Sequence, residues 1–272
     1  MLTVREYSET EFVMFATSKG VVKKTALADF SRPRTNGIIA IDLRIDDYLI
    51  DVGLTTGDSD IMLFSSGGRA MRFHESAVRK MGRTAAGVRG IRMPEEDSVI
   101  GLIVVGEGTI LSATKNGYGK RTEPEGYPTK GRGGMGVIDI KTTERNGPVI
   151  GAVQVGEDDE IMLITDAGTL VRTAVSGVST VGRNTQGVRL IRLNEGESLV
   201  ELTPIDEADV NTDDVLDGEE GSDESGQEGG NASTVDASAE QNTDQSSADT
   251  SDSDADNDAD QVDDNSDDGD DS

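Results

Sequence analysis

The side chains whose chemistry repeats in this sequence are lysines and arginines. Gly20 is followed by Lys23 and Lys24, Gly68 by Arg72, Gly117 by Lys120 and Arg121, and Gly168 by Arg172. A second glycine closes each stretch, at Gly37, Gly87, Gly136 and Gly187. It is preceded in turn by Arg32 and Arg34, by Arg79, Lys80 and Arg83, by Lys130 and Arg132, and by Arg183. The first glycines stand 48, 49 and 51 residues apart and the second ones 50, 49 and 51 apart. Cations recurring at matched places suit a long polyanion, which rewards many weak phosphate contacts rather than one deep site. These fourteen bases are the expected phosphate contacts.

Other chemistries are poorly supplied. His74 is the sole histidine, which excludes histidine-based triads and multi-histidine metal sites. It reads as an ordinary loop or strand-end residue. There is no cysteine, hence no disulfide and no thiolate metal site. Tyr7, Tyr48, Tyr118 and Tyr127 read as packing or edge residues, and the acid pairs lie in turns without a partner base. The run Lys130-Gly131-Arg132-Gly133-Gly134-Met135-Gly136 lets backbone N–H groups approach an anion. It lacks the Gly-Lys-Ser/Thr of a nucleotide-binding loop. It reads either as a flexible loop without special role or as a phosphate-contacting loop.

The elements that must carry these bases follow the same period. Each repeat begins with an apolar run (12–17, 61–65, 109–114, 161–165) that ends at a glycine turn, a hairpin signal. A second strand follows (21–25, 69–73, 118–122, 169–173), then a loop of about a dozen residues. A third strand opens at the second glycine (38–43, 88–93, 137–141, 188–193), and an apolar fourth closes the repeat (49–54, 99–105, 149–155, 199–202). A period near 50 with four antiparallel strands is the plan of propeller blades. The expected fold is all-β, with four complete blades at about 11–59, 60–107, 108–159 and 160–207. Residues 1–10 are expected to be the last strand of an incomplete blade, which makes the chain read as an N-terminally truncated fragment.

Charge is unevenly spread. Of 53 acids, 24 lie in 208–272, which has no lysine or arginine, leaving 29 acids against 25 bases in the rest. The overall charge of −28 therefore describes a tail, expected to be disordered because it has few apolar residues to bury. It reads either as a solubilising tail or, by its reach and charge, as a competitor for the basic surface. Within the repeats, the windows 19–37, 68–92, 115–136 and 168–192 hold 21 bases and 4 acids. Equivalent residues of a blade occupy equivalent places, so two rims are expected, one basic and one acidic. Few aromatics are available to stack on single-stranded bases, which favours duplex DNA. No charged, apolar leader opens the sequence, and the most apolar run, 99–106, is too short to span a bilayer. The expected location is the cytoplasm, with no membrane partner.

Several segments resemble the C-terminal domain of the A subunit of bacterial DNA gyrase. They are Asn116-Gly117-Tyr118-Gly119-Lys120-Arg121-Thr122, Thr143-Glu144-Arg145-Asn146-Gly147, Val88-Arg89-Gly90-Ile91-Arg92 and 181–188. The resemblance spans roughly 2–205. It implies a β-pinwheel, a disc whose blades exchange a strand with a neighbour, and a basic perimeter that wraps duplex DNA. Its implied partners are the remainder of the gyrase A chain together with the gyrase B chain, in an A2B2 type II topoisomerase that uses ATP and Mg to introduce negative supercoils. No cofactor and no strand cleavage are expected of this segment itself. The family's Gln-Arg-Arg-Gly-Gly-x-Gly box belongs upstream; residues 130–136 keep Arg132, Gly133, Gly134 and Gly136 but lie in a later blade. The related domain of topoisomerase IV is the alternative within this class. A propeller scaffold that binds a protein, with no DNA role, is the alternative outside it.

Overall fold

Aliphatic and β-branched runs broken by turn glycines produce short strands and little else. In a computed structural model that describes residues 2–205, the first repeat contributes β1 (Phe12–Thr17), β2 (Val21–Ala26) and β3 (Leu49–Thr55). The second contributes β4 (Asp60–Ser65), β5 (Arg69–His74), β6 (Val88–Arg89) and β7 (Val99–Val104). The third contributes β8 (Thr109–Thr114), β9 (Tyr118–Thr122), β10 (Val137–Ile138) and β11 (Val149–Val155). The fourth contributes β12 (Glu160–Thr165), β13 (Leu170–Ala174), β14 (Val188–Arg189) and β15 (Leu199–Ile205). A single 3₁₀ turn follows β2, β5, β9 and β13. The expectations for 208–272 lie outside the described residues.

The sheets cross repeat boundaries. Their strand orders are β3-β1-β2-β6, β7-β4-β5-β10, β11-β8-β9-β14 and β15-β12-β13. Each third strand thus leaves its own repeat and pairs antiparallel with the second strand of the preceding one. Val22 faces Val88, Ala70 faces Val137, and Gly119 faces Val188. This is the strand exchange that the resemblance implied, and it covers an edge that a lone hairpin would leave unpaired.

The third strands are shorter than the sequence pattern suggests. The N–H groups of both Gly90 and Ile91 donate to the Gly20 carbonyl, and Gly68 and Gly117 receive the same pair from the next repeat. A doubly used acceptor marks where the incoming chain bends off the ladder. Gly20, Gly68 and Gly117 hold φ of 76°, 79° and 78°, and a Cβ there would lie within 3.0 Å of the backbone oxygen of Ile91, Ile140 or Ile191. Only glycine meets both demands. Two expectations are corrected: residues 38–43 form no strand, and neither does any part of 2–10. In the described residues neither segment has a neighbouring blade to pair with, and a strand without a partner cannot hydrogen-bond its backbone.

The core lies between blades rather than inside them. Side chains alternate across a strand, so Ile61 and Leu63 of β4 pack with Met14, Ala16 and Val22 of the first blade. Met62 and Phe64, on the other face, pack with Ile110, Tyr127 and Ala152 of the third. Leu111 and Ala113 likewise join Ile161, Leu163 and Leu199. The outward face of the first blade, at Val13 and Phe15, is covered by Leu2, Val4, Phe30, Ala40 and Ile41.

Candidate nucleic-acid interface

The bases on the second strands are joints between blades. The fourth residue after each anchor glycine is Lys24, Arg72, Arg121 or Arg172. Lys24 pairs with Glu75 at 3.4 Å and donates to the Glu75 carbonyl. Arg72 donates to Asp60 and to the Pro124 carbonyl, at 2.8 and 2.6 Å. Arg121 donates to the Val178 carbonyl at 2.7 Å and pairs with Glu157. In all three the acceptor carbonyl belongs to the 3₁₀ turn of the next repeat or the residue that ends it. The third residue after the glycine turns inward. Lys23 is fully buried, with Nζ donating to the Ala40 and Arg83 carbonyls. Burial lowers its pKa to about 8, the Arg83 charge adds to this, and Asp29 opposes it. Lys120 is fully buried 3.5 Å from Asp139, which also accepts from the Tyr127 hydroxyl at 2.5 Å. Burial depresses the Lys120 pKa against the pull of Asp139.

Four expected phosphate contacts are therefore corrected. Lys23, Lys24, Lys120 and Arg121 are buried and spend their donors on carbonyls and carboxylates of this chain. Arg72 is largely buried and already committed to Asp60. Arg172 is exposed and pairs with Glu160.

The remaining bases sit on the loops that cross from one blade to the next. The Met81, Lys130 and Val181 N–H groups donate to the Lys24, Arg72 and Arg121 carbonyls, so each loop runs along the outer edge of the preceding second strand. These loops form the outermost layer of their sheets. Arg79, Lys80 and Lys130 on them are exposed, as are Arg32 and Arg34 on the first loop. Arg83, Arg132 and Arg183 are half-buried. Each donates to a backbone carbonyl just after the second glycine of the preceding repeat: Ile39, Arg89 and Ile138 respectively. Each clamps its loop while leaving part of the guanidinium in solvent.

Sequence reasoning missed Arg89 and Arg189, which are exposed on the exchanged strands β6 and β14. The signal was the Gly-Val-Arg that opens both third strands. It also missed a cleft where Arg145 and Arg189 lie over the Tyr118 ring, 4.8 and 5.5 Å from its centre, with Arg192 in the lining. Hydrogen bonds from Arg189 and Arg145 lower the pKa of the Tyr118 hydroxyl. In the glycine run, the Gly133 N–H donates to the Gly90 carbonyl and the Gly134 carbonyl accepts from Arg92. At least part of its glycine content serves close packing of loop on blade.

The acids do not form one rim. Asp47 accepts from Thr17, Ser18 and the Lys19 N–H, and Asp97 holds Ser65, Ser66 and Gly67 in the same way, at the hairpin end of the strands. Glu75 is buried at the other end and binds Thr55, Gly57 and Ser59. Burial pushes its pKa up, but the hydrogen bonds from Thr55 and Ser59 and the Lys24 charge outweigh that and hold it low. Many acids thus brace turns at both strand ends, and the outer edge is left to the bases. His74 closes β5, bonded to Ser76 and Asp58 at 2.7 and 3.1 Å. Among the described residues no group of three or more His, Asp or Glu could hold a metal ion, and no helix is long and apolar enough to cross a membrane.

Fold and surface together define a strand-exchanging, propeller-like repeat module with exposed bases on its crossover loops. The family model "DNA gyrase C-terminal domain, beta-propeller" matches residues 11–56, 59–106, 108–155 and 159–206, and the chain belongs to that family. The DNA gyrase A protein of Salmonella typhimurium is 58% identical over 223 residues, covering 82% of this chain and 25% of that protein. Its Escherichia coli counterpart is 56% identical over 231 residues, with 82% and 26% covered. The chain thus spans about a quarter of the curated relatives it matches. A solved DNA gyrase A C-terminal domain aligns with TM-score 0.66 and 27% identity, covering 73% of this chain and 67% of that one. The C-terminal domain of DNA topoisomerase IV aligns with TM-score 0.70 and 25% identity, covering 74% and 64%.

Proposed function

We propose that these repeats are a duplex-DNA binding and wrapping module of a gyrase A protein. The observation that carries this reading is the recurrence of exposed bases on successive crossover loops, the outermost layer of consecutive blades. Such a track meets the phosphates of a double helix bent around it. Smooth bending of 20–30 base pairs costs on the order of 1–6 kcal/mol, which a series of phosphate contacts offsets. Among the described residues no helix longer than a 3₁₀ turn is available to enter a major groove, so recognition is of backbone and deformability rather than base identity. The bases proposed to contact phosphate are Arg32, Arg34, Arg79, Lys80, Arg83, Lys130, Arg132 and Arg183, joined by Arg89 and Arg189. Gyrase is preferred to topoisomerase IV because identity to gyrase A proteins reaches 58% over most of the chain.

In this reading the segment works in the cytoplasm within an A2B2 holoenzyme that includes the gyrase B chain. ATP, Mg and strand cleavage belong to the other parts of that assembly. The test is binding to linear duplex over a range of salt. Each phosphate contact contributes about −0.9 to the slope of log K against log salt, so a steep negative slope is expected. A second arm closes nicked plasmid in the presence of the protein; wrapping shifts the linking number. A flat slope and an unshifted linking number overturn the proposal.

A further inference from the structure

Two internal joints carry corresponding clefts of opposite charge. Where the second and third repeats meet, at the hairpin end of the strands, the cleft is lined by Arg69, Glu96, Asp97 and Glu144. Where the third and fourth meet, it is lined by Tyr118, Arg145, Arg189 and Arg192 and by no carboxylate. The positions match. Arg69 and Tyr118 each follow the first glycine of their repeat, Glu96 stands 28 residues after Gly68, and Arg145 stands 28 residues after Gly117. What is an acid at one joint is a base at the next.

Local structure sets the three arginines in place. Arg189 on β14 stands opposite Tyr118 on β9, so the two side chains share a face of the sheet. The Asn116 side-chain amide donates to the Glu144 and Arg145 carbonyls, at 3.1 Å each, and holds the turn that carries Arg145 against the hairpin. Leu190 and Ile191 both donate to the Gly117 carbonyl, and that bend brings Arg192 into the lining. Guanidinium groups stay charged, and like charges gathered in one cleft repel. The contacts of Arg145 and Arg189 with the Tyr118 ring offset part of that repulsion. Among the described residues none of the three arginines forms an ion pair. The Tyr118 hydroxyl accepts from Arg189 at 3.0 Å. Its own hydrogen is left to donate, and no acceptor among the described residues takes it.

We propose that the cleft between the third and fourth repeats is a binding site for a phosphate group with at least two charge-bearing oxygens. The planar forks of Arg145 and Arg189 match such oxygens in pairs. Arg192 adds a third positive charge, and the Tyr118 O–H donates to an oxygen that the arginines leave free. The group belongs either to a free polyphosphate anion or to the backbone of a bound duplex. The corresponding cleft one joint earlier repels it through Glu96, Asp97 and Glu144, so one site per chain is expected rather than one per repeat.

The experiment is calorimetric titration of the full chain with pyrophosphate, at fixed ionic strength and without divalent cations. One saturable site per chain is expected. Arg145→Glu places in this cleft the acid that its counterpart carries, at an exposed position, and should abolish the site. Tyr118→Phe keeps the ring, loses the donor and should weaken binding about tenfold. Circular dichroism matching wild type shows that each variant keeps its fold. Binding that survives Arg145→Glu lies elsewhere and counts as no site. A second arm measures duplex binding by wild type and Arg145→Ala over a range of salt. A slope reduced in magnitude by about 0.9 in the variant, without a pyrophosphate site, assigns the phosphate group to the duplex backbone and supports the proposal. That arm rests on the DNA-wrapping reading and the calorimetry does not. A flat wild-type slope overturns that reading, while the titration still tests the cleft. No pyrophosphate site together with a slope that Arg145→Ala leaves unaltered overturns the proposal.

Discussion

Two sets of bases in the same repeat behave differently. Lys24, Arg72 and Arg121 on the second strands reach across to carbonyls of the following repeat and lie out of reach of a ligand. Arg79, Lys80 and Lys130 on the crossover loops point to solvent. Residue type and spacing are the same in both sets; what differs is whether a neighbouring blade supplies acceptors. Arg172 makes the point within one series, since it occupies the joint position of the fourth blade and, among the described residues, pairs only with Glu160 of its own hairpin. A periodic cation is thus a joint where the described residues supply a next blade and surface where they do not.

The largest test of that division is at Lys120. Replacing it by Met, the type found at the equivalent Met71, leaves Asp139 buried without its counter-charge. The expected loss is about 3–5 kcal/mol of unfolding free energy, as for other broken buried pairs, read by urea denaturation. The double variant Lys120→Met, Asp139→Leu should recover most of it. A loss under about 1 kcal/mol would break the distinction between joint and surface.

Next comes the contrast between Arg121 and Arg172. Arg121→Ala strands the Val178 carbonyl and should cost about 1.5–3 kcal/mol, the range for a hydrogen bond to a charged group. Arg172→Ala removes an exposed pair and should cost about 0–1 kcal/mol. Equal costs would mean that the joint carries no energy of its own.

Stability should rise with pH in two separate windows. Hydrogen bonds from Thr165 and the Asn194 N–H hold Glu197 down to about 2, and Glu75 is also held low. Between the unfolded value near 4.5 and about 2 the unfolded chain binds more protons, so stability falls as pH falls. Lys23, lowered to about 8 by burial, sheds its proton earlier in the fold than in the unfolded chain, whose value is 10.5. Stability should therefore gain between pH 8 and 10. Unfolding midpoints at pH 3, 7, 8 and 10 check both arms, and a decline from 8 to 10 would contradict the buried lysine.

The smallest effects on folding are expected on the crossover loops. Arg79→Ala, Lys80→Ala and Lys130→Ala should each leave stability within about 0.5 kcal/mol. Each should reduce the magnitude of the DNA salt slope by about 0.9. A loop variant that unfolds the chain, or one that leaves the slope intact, would move that residue to the other set.

The amino-acid sequence by itself determined the repeats and their strands, because apolar runs, turn glycines and a period near 50 are local signals that leave a blade few alternatives. It also determined where the positive charge lies along the chain. Tertiary structure alone decided which bases are exposed, because Lys23 and Lys130 both sit in basic windows and differ only in whether a neighbouring segment closes over them. It likewise decided the ownership of the third strands. Two-residue strands carry almost no signal of their own, and they take their partner from whichever blade offers an open edge. Residues 38–43 have the composition of a strand but meet no such edge among the described residues, and the backbone there does not form one.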